Sequence, residues 1–231
     1  VTISLIAVEG IPEVRAGDDL AALIAERAEP LEGDVVVVTQ KVVSKAEGRV
    51  VDLDPDDPAS RRRVILAESV RVLRRRGELL MTETAHGFVC ANAGVDLSNV
   101  EQGRAVLLPV DPDRSARAIR DGLFRLTARR VGVVVSDTFG RTWRRGLTDV
   151  AIGVAGVAAV VDLRGSVDAL GRPLAVTEVC VADEIAGAAE LVMGKASAVP
   201  AVLVRGVDPA WLRESSVAAE IVRPCAEDLF R

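Results

Sequence analysis

Unbroken apolar runs alternate with stretches of helical periodicity along the chain. Val35 to Val38 is apolar without interruption, which predicts a strand over 35–39 buried on both faces. Val131 to Val135 predicts a second strand of the same kind. Looser alternation predicts strands at 3–8, 79–82, 106–110, 174–181 and 201–204. Asp18 reads as the N-cap of a helix to about Ala28, with Leu20, Leu23 and Ile24 on one face. Val64, Ala67, Val70 and Leu73 recur at i, i+3 and predict a helix over 58–76 with arginines on its other face. Ser115 caps another helix to about Thr127, and a small-residue helix over 182–192 ends at Gly194. A short helix is expected near 216–222. Segment 149–162, small and apolar, fits helix and strand equally.

Composition narrows the function. The 231 residues carry a net charge of −5, which argues against a nucleic-acid binder. Aromatics are 3% with no Tyr, so the core is aliphatic and stacking of nucleic-acid bases is excluded. The single histidine, His86, excludes histidine triads and multi-histidine metal sites, so a metal would be held by oxygen ligands. Cys90, Cys180 and Cys225 are odd in number and far apart, which indicates neither a disulfide framework nor a cysteine zinc site and fits the cytoplasm. No apolar run reaches the roughly 18 residues of a membrane helix, and no basic segment precedes the first strand as in a signal peptide.

Three polar stretches follow predicted strands. The first is Ser136-Asp137-Thr138-Phe139-Gly140-Arg141-Thr142; the second runs from Thr39 to Arg49 and holds Gln40, Lys41 and Lys45; the third, 92–100, holds Asp96 and Asn99. Each has an ordinary alternative: a polar turn, a solvated hairpin edge, an Asx-turn. If the three meet, they form an oxygen-ligand metal site flanked by cations, equipment for chemistry on phosphate. Neither a P-loop nor a dinucleotide-binding glycine motif is present.

Seven ordered segments carry a resemblance that covers nearly the whole chain. They are Val8-Glu9-Gly10-Ile11-Pro12; Gly17 to Leu20; Gly33 to Val38 with Val42 to Arg49; Asn92 to Asp96 with Ser98 to Val100; Leu108 to Asp113; Asp137-Thr138 with Gly140-Arg141; and Val181 to Ile185. Together they resemble the coenzyme F-420:gamma-glutamyl ligases. The resemblance implies an α+β fold, mixed α/β, of two interwoven lobes built on mixed and antiparallel sheets with flanking helices, in a single domain over 1–231 and as a homodimer. It implies a GTP-dependent ligase that phosphorylates the terminal carboxylate of coenzyme F-420-0 and lets L-glutamate attack the acyl phosphate. GDP and phosphate leave, and one or more glutamates are added in gamma linkage.

By position, Asp96 and Asp137 resemble ligands of a first Mg2+ or Mn2+ ion and Thr138 a ligand of a second; some members also use K+. Ile11, Pro12, Glu13, Val14, Gln40, Lys45, Asn99, Gly194 and Lys195 look like nucleotide contacts. Lys45 and Arg141 are the candidate catalytic cations. Archaeal members carry a glycine-rich acidic stretch after the position of Met193-Gly194, whereas here Lys195-Ala196-Ser197-Ala198 is shorter and lacks an acid. Either Lys195 replaces the metal's charge, or Glu178 or Glu184 supplies the carboxylate. The ending, about 223–231, resembles the junction to a nitroreductase-like domain in actinobacterial two-domain versions. Two other readings stay open: a non-catalytic nucleotide- or deazaflavin-binding subunit, and a metal-dependent phosphatase.

Overall fold

The computed structural model describes residues 2–229; Phe230 and Arg231, part of the expected junction, lie outside the described residues. In chain order the elements are β1 (Ser4–Ala7), α1 (Leu20–Ala25), β2 (Val35–Thr39), α2 (Gln40–Ala46), β3 (Val50–Asp52), α3 (Ser60–Ala67), β4 (Ser69–Arg76), β5 (Leu79–Thr84), β6 (Val89–Ala91), β7 (Arg104–Val106), α4 (Pro112–Thr127), β8 (Gly132–Gly140), β9 (Leu147–Ala155), β10 (Val161–Asp162), β11 (Glu178–Val179), α5 (Val181–Met193), β12 (Ala201–Arg205) and α6 (Val217–Glu220). This is a mixed α+β fold.

A five-stranded sheet in the order β1-β12-β2-β8-β9 forms the centre. Only β2 and β8 run parallel; the other neighbours are antiparallel. The valine run of β2 alternates between two cores, as period 2 requires. Val36 and Val38 pack with Ile24 of α1 and Ile119 and Leu123 of α4 on one face. Val35 and Val37 pack with Ala182, Ile185, Ala189 and Met193 of α5 on the other. Both faces are therefore covered, and a polar residue in these strands is tolerated only near their ends. A three-stranded sheet, β4-β5-β6, borders a smaller apolar cluster of Ile65, Leu80, Ala93, Val95, Ala105 and Leu107.

Several expectations change. The helix predicted over 58–76 stops at Ala67, and β4 pairs antiparallel with β5. Arg76 pairs with Leu79, leaving Gly77-Glu78 as a two-residue turn with Gly77 at φ +59°. That turn and its strand partner override the helical spacing of Val70 and Leu73. The predicted arginine face is thus split between a short helix and an exposed strand. Segment 149–162 resolves into β9 and β10. In place of the strand expected at 106–110 a short one lies at Arg104–Val106, and the one expected at 174–181 shrinks to Glu178–Val179. Asp19, rather than Asp18, caps α1. Asp111 caps α4 in place of Ser115, accepting from the Arg114 N–H at 2.9 Å. Pro112 holds the residue before it extended and needs no hydrogen bond at the first helical position, so the helix starts there.

The N-terminus of α4 is locked to the sheet. Buried Asp113 accepts the N–H groups of Val154 at 2.8 Å, Val217 at 2.9 Å and Ala218 at 3.2 Å. Gly153 lets the backbones meet, because a Cβ there would lie 2.3 Å from the Pro112 carbonyl carbon and oxygen. Asp113→Ala strands these donors and should destabilise the protein by about 3 kcal/mol, lowering the melting temperature by roughly 6–12 °C. Calorimetry showing an unchanged melt would remove Asp113 from this role.

Candidate active site

β2 and β8 pair in parallel from Val35↔Gly132 to Thr39↔Ser136, and there the chain of β2 turns into α2. β8 continues to Gly140 beside β9 alone. Diverging at the carboxyl ends of parallel strands opens the kind of crevice in which α/β sheets bind ligands. Asp137 and Thr138 are therefore strand residues at the sheet's split end, not residues of a loop. Gln40 and Lys45 lie on α2 rather than on a hairpin edge. Asp96 and Asn99 stand outside regular elements, Asp96 in an isolated bridge to Val106.

Alternation along β8 sends Asp137 to the face of Val133 and Val135, and Ser136 and Thr138 to the face of Val134. On the Asp137 side, Lys41 Nζ lies 2.8 Å from Asp96 Oδ2 and 2.6 Å from Ser98 Oγ. Burial would raise the Asp96 carboxyl, but Lys41 and the Ser98 N–H outweigh it and hold it below the usual range. Asp137 is half-buried. Burial pushes its carboxyl up to about 7; the Asp149 and Asp96 charges add to this, and the Thr138 N–H and Lys41 oppose it. Burial, with Asp137 adding, keeps the neighbouring Cys90 a thiol, up to about 12. Farther along α2, Lys45 pairs with Glu13 and donates to the Asn99 carbonyl at 2.8 Å. Three of the expected nucleotide contacts, 32 and 54 residues apart from Lys45, thus meet at one ammonium.

The Thr138 side holds a second cluster. Asp149, only 3% exposed, accepts from Thr138 Oγ1 at 2.7 Å and from Ser136 Oγ at 3.2 Å. Lys195 Nζ reaches Thr138 Oγ1 at 2.5 Å, Glu190 at 2.7 Å and Asp149 at 3.0 Å. Burial lowers the Lys195 pKa, but Glu190 and Asp149 more than offset it, so the ammonium stays charged. A bulge opposite Val135 and Ser136, which leaves Ile152 unpaired, sets Asp149 opposite Thr138.

Other candidates lie apart from these clusters. Gln40 is buried and spends its amide on Ser44 Oγ at 2.7 Å and the Leu107 carbonyl at 3.0 Å. Ile11 is half-buried, Pro12 exposed, and Val14 is part of the core. Gly194 ends α5 at φ +56° and ψ 174°, a backbone conformation that glycine alone adopts readily. Arg141 donates to the Arg145 carbonyl in the β8–β9 turn, and among the described residues nothing joins it to Asp137, Thr138 or Lys45. Gly94 packs against Leu108: a Cβ there would lie 2.7 Å from that side chain. Glu178 pairs with Arg164 and Glu184 is exposed, so neither joins Lys195.

Sequence reasoning left out Asp149 and Glu190 and gave Lys41 no role. Asp149 sat in the segment whose element was undecided. The oxygen donors Asp96, Asp137, Thr138 and Asp149 suit a hard cation. Among the described residues, no three acidic, histidine or cysteine side chains are grouped to enclose one. A site with one or two carboxylates, completed by substrate phosphate, is the usual arrangement for Mg2+. No helix among the described residues is long and apolar enough to cross a membrane.

The model of the F420-0:Gamma-glutamyl ligase family matches residues 10–206. A coenzyme F420:L-glutamate ligase of Methanothermobacter thermautotrophicus is 44% identical over 249 aligned residues, covering 99% of this chain and 99% of the relative. That alignment is longer than this chain, so the relative carries insertions this chain lacks. A coenzyme F420:L-glutamate ligase of Archaeoglobus fulgidus is 44% identical over 238 residues, covering 97% and 94%. The chain belongs to the F420-0:gamma-glutamyl ligase family.

Proposed function

We propose that the protein is a GTP-dependent ligase that joins L-glutamate to coenzyme F-420-0. The observation that carries this reading is the split end of β8, where oxygen donors of Asp96, Asp137, Thr138 and Asp149 lie beside the ammonium groups of Lys41 and Lys195. In this mechanism a carboxylate oxygen of F-420-0 attacks the γ-phosphorus of GTP, and GDP leaves. The amine of glutamate then attacks the acyl carbon, the C–O bond to phosphate breaks, and the proton lost from nitrogen leaves with the phosphate or to solvent. Both steps move negative charge between phosphate oxygens, so fixed cations and close positioning supply most of the acceleration. Lys45, held by Glu13 and Asn99, would meet the nucleotide phosphates. Asp96, Asp137 and Thr138 would hold Mg2+ or Mn2+, which when bound supplies positive charge to the phosphates. We further infer a homodimer in the cytoplasm, with K+ as an activator.

Incubation with F-420-0, GTP, L-glutamate and Mg2+ or Mn2+ should give product masses raised by whole glutamate residues. A non-catalytic binding subunit would give no such increment under any metal, and a phosphatase would hydrolyse GTP without glutamate or coenzyme; either result sinks the ligase reading.

Asp137→Asn removes a carboxyl, and the charge it carries when ionised, from a site with surplus negative charge. It should lower kcat on the order of a hundredfold or more while leaving the melting temperature unchanged or higher. A large loss of stability with activity retained would contradict the role given to Asp137.

Lys195→Met keeps the apolar stem and removes the cation. The side chain is 57% exposed, so its ion pairs are screened and the loss of stability should be only about 1 kcal/mol. The expected reading is a fall in kcat of about tenfold or more; wild-type kcat would take Lys195 out of the active site.

A further inference from the structure

Beyond Gly140 the β8–β9 turn reads Arg141-Thr142-Trp143-Arg144-Arg145-Gly146, and the proposed chemistry gives most of it no task. Trp143 holds a left-handed backbone at φ +64°, a strained conformation for a bulky residue. Its side chain is 90% exposed, so packing within the chain does not offset that strain. The turn is nevertheless fixed in shape: the Arg141 guanidinium donates to the Arg145 carbonyl at 2.6 Å. Gly146, at φ +88°, then returns the chain to β9. Arg141, Arg144 and Arg145 are exposed, and among the described residues no acid pairs with any of them. In a chain of net charge −5, three unpaired arginines around an indole are a local attractor for an anion with a flat ring.

We propose that this turn is the subsite for the coenzyme's ring and the anionic side chain beside it. Trp143 stacks on the deazaflavin, and Arg144 and Arg145 meet the lactyl phosphate. An exposed indole offers a rigid π-face at little conformational cost, and arginine suits a phosphodiester through its planar fork. The placement fits the substrate's own layout. Its reacting carboxylate lies at the end of the side chain away from the ring, so the ring must bind outside the catalytic cluster. Trp143 is five residues beyond Thr138, which at about 3.3 Å per extended residue puts its backbone within roughly 17 Å. The subsite rests on the ligase reading and deepens it.

Two measurements on the full chain test it. Trp143 and Trp211 are the only tryptophans, so the emission lost in Trp143→Ala belongs to Trp143. F-420-0 should quench that component in the wild type and leave the Trp211 emission of the variant nearly unchanged. In steady state, Trp143→Ala and the double variant Arg144→Ala/Arg145→Ala should each raise the KM for F-420-0 about tenfold or more, with the KM for GTP and the melting temperature unchanged. Equal quenching in both proteins, an unchanged KM for F-420-0, or a rise in the KM for GTP instead would overturn the subsite. So would a sedimentation shift to a smaller species in Trp143→Ala, which would make the turn a contact between copies. If the wild type adds no glutamate, the ligase reading fails by itself, and the quench still decides whether the turn binds the ring.

Discussion

β2 accompanies β8 only as far as Thr39↔Ser136, whereas β9 follows it to Gly140. On the side that β2 has left, no strand among the described residues pairs with residues 137–140. Backbone polar groups without partners are stable only where water or a ligand reaches them, so the split must stay open. The rest of the sheet cannot relieve it, because helices cover both faces and β2 is aliphatic through Val38. The polar residues of the chain's centre gather where those two strands part. Gln40 and Lys41 follow the end of β2 directly, and Asp137 and Thr138 ride on the continuation of β8.

That geometry divides the site between two faces of one strand. Asp137 turns towards Asp96 and Lys41, Thr138 towards Asp149 and Lys195, yet the charges of Asp96 and Asp149 both bear on Asp137. Two like charges near a carboxyl withdrawn from water disfavour its ionised form. The site therefore carries more negative charge than its lysines compensate, a condition that favours cations and positions them. Lys41 and Lys195 stand on either side of β8, each already paired with a carboxylate. Each ammonium is thus held as a fixed charge on its own face of the strand, which is how a preorganised site avoids reorganising.

Much of this was legible in the sequence where one physical rule acted alone. Uninterrupted valine runs meant strands buried on both faces, and Gly194 marked a helix end by its backbone freedom. Lys45, Glu13 and Asn99, which the resemblance rather than any local rule grouped as nucleotide contacts, meet in space. Legibility failed where tertiary pairing competed with local pattern. Spacing of Val64, Ala67, Val70 and Leu73 suggested one long helix, but the Gly77 turn gave the second half a strand partner. Asp149 was hidden for a related reason. Its segment had no decisive period, and the bulge at Ile152 that aligns it with Thr138 leaves no mark in composition.

The position of Lys195 follows from α5 rather than from the loop that carries it. α5 packs its apolar side on the face of the sheet that also bears Thr138 and Asp149. The helix ends at Gly194, so the next residue emerges beside those oxygens. A cation just past a helix C-terminus is favoured by the helix dipole, and Glu190, one turn earlier, faces the same ammonium. Glu184 is too early on the helix to reach this corner, and Glu178 is taken up by Arg164. Three oxygen partners match the three N–H donors of a lysine ammonium. The lysine ammonium thus lies at this corner by the same local geometry that keeps both glutamates away from it.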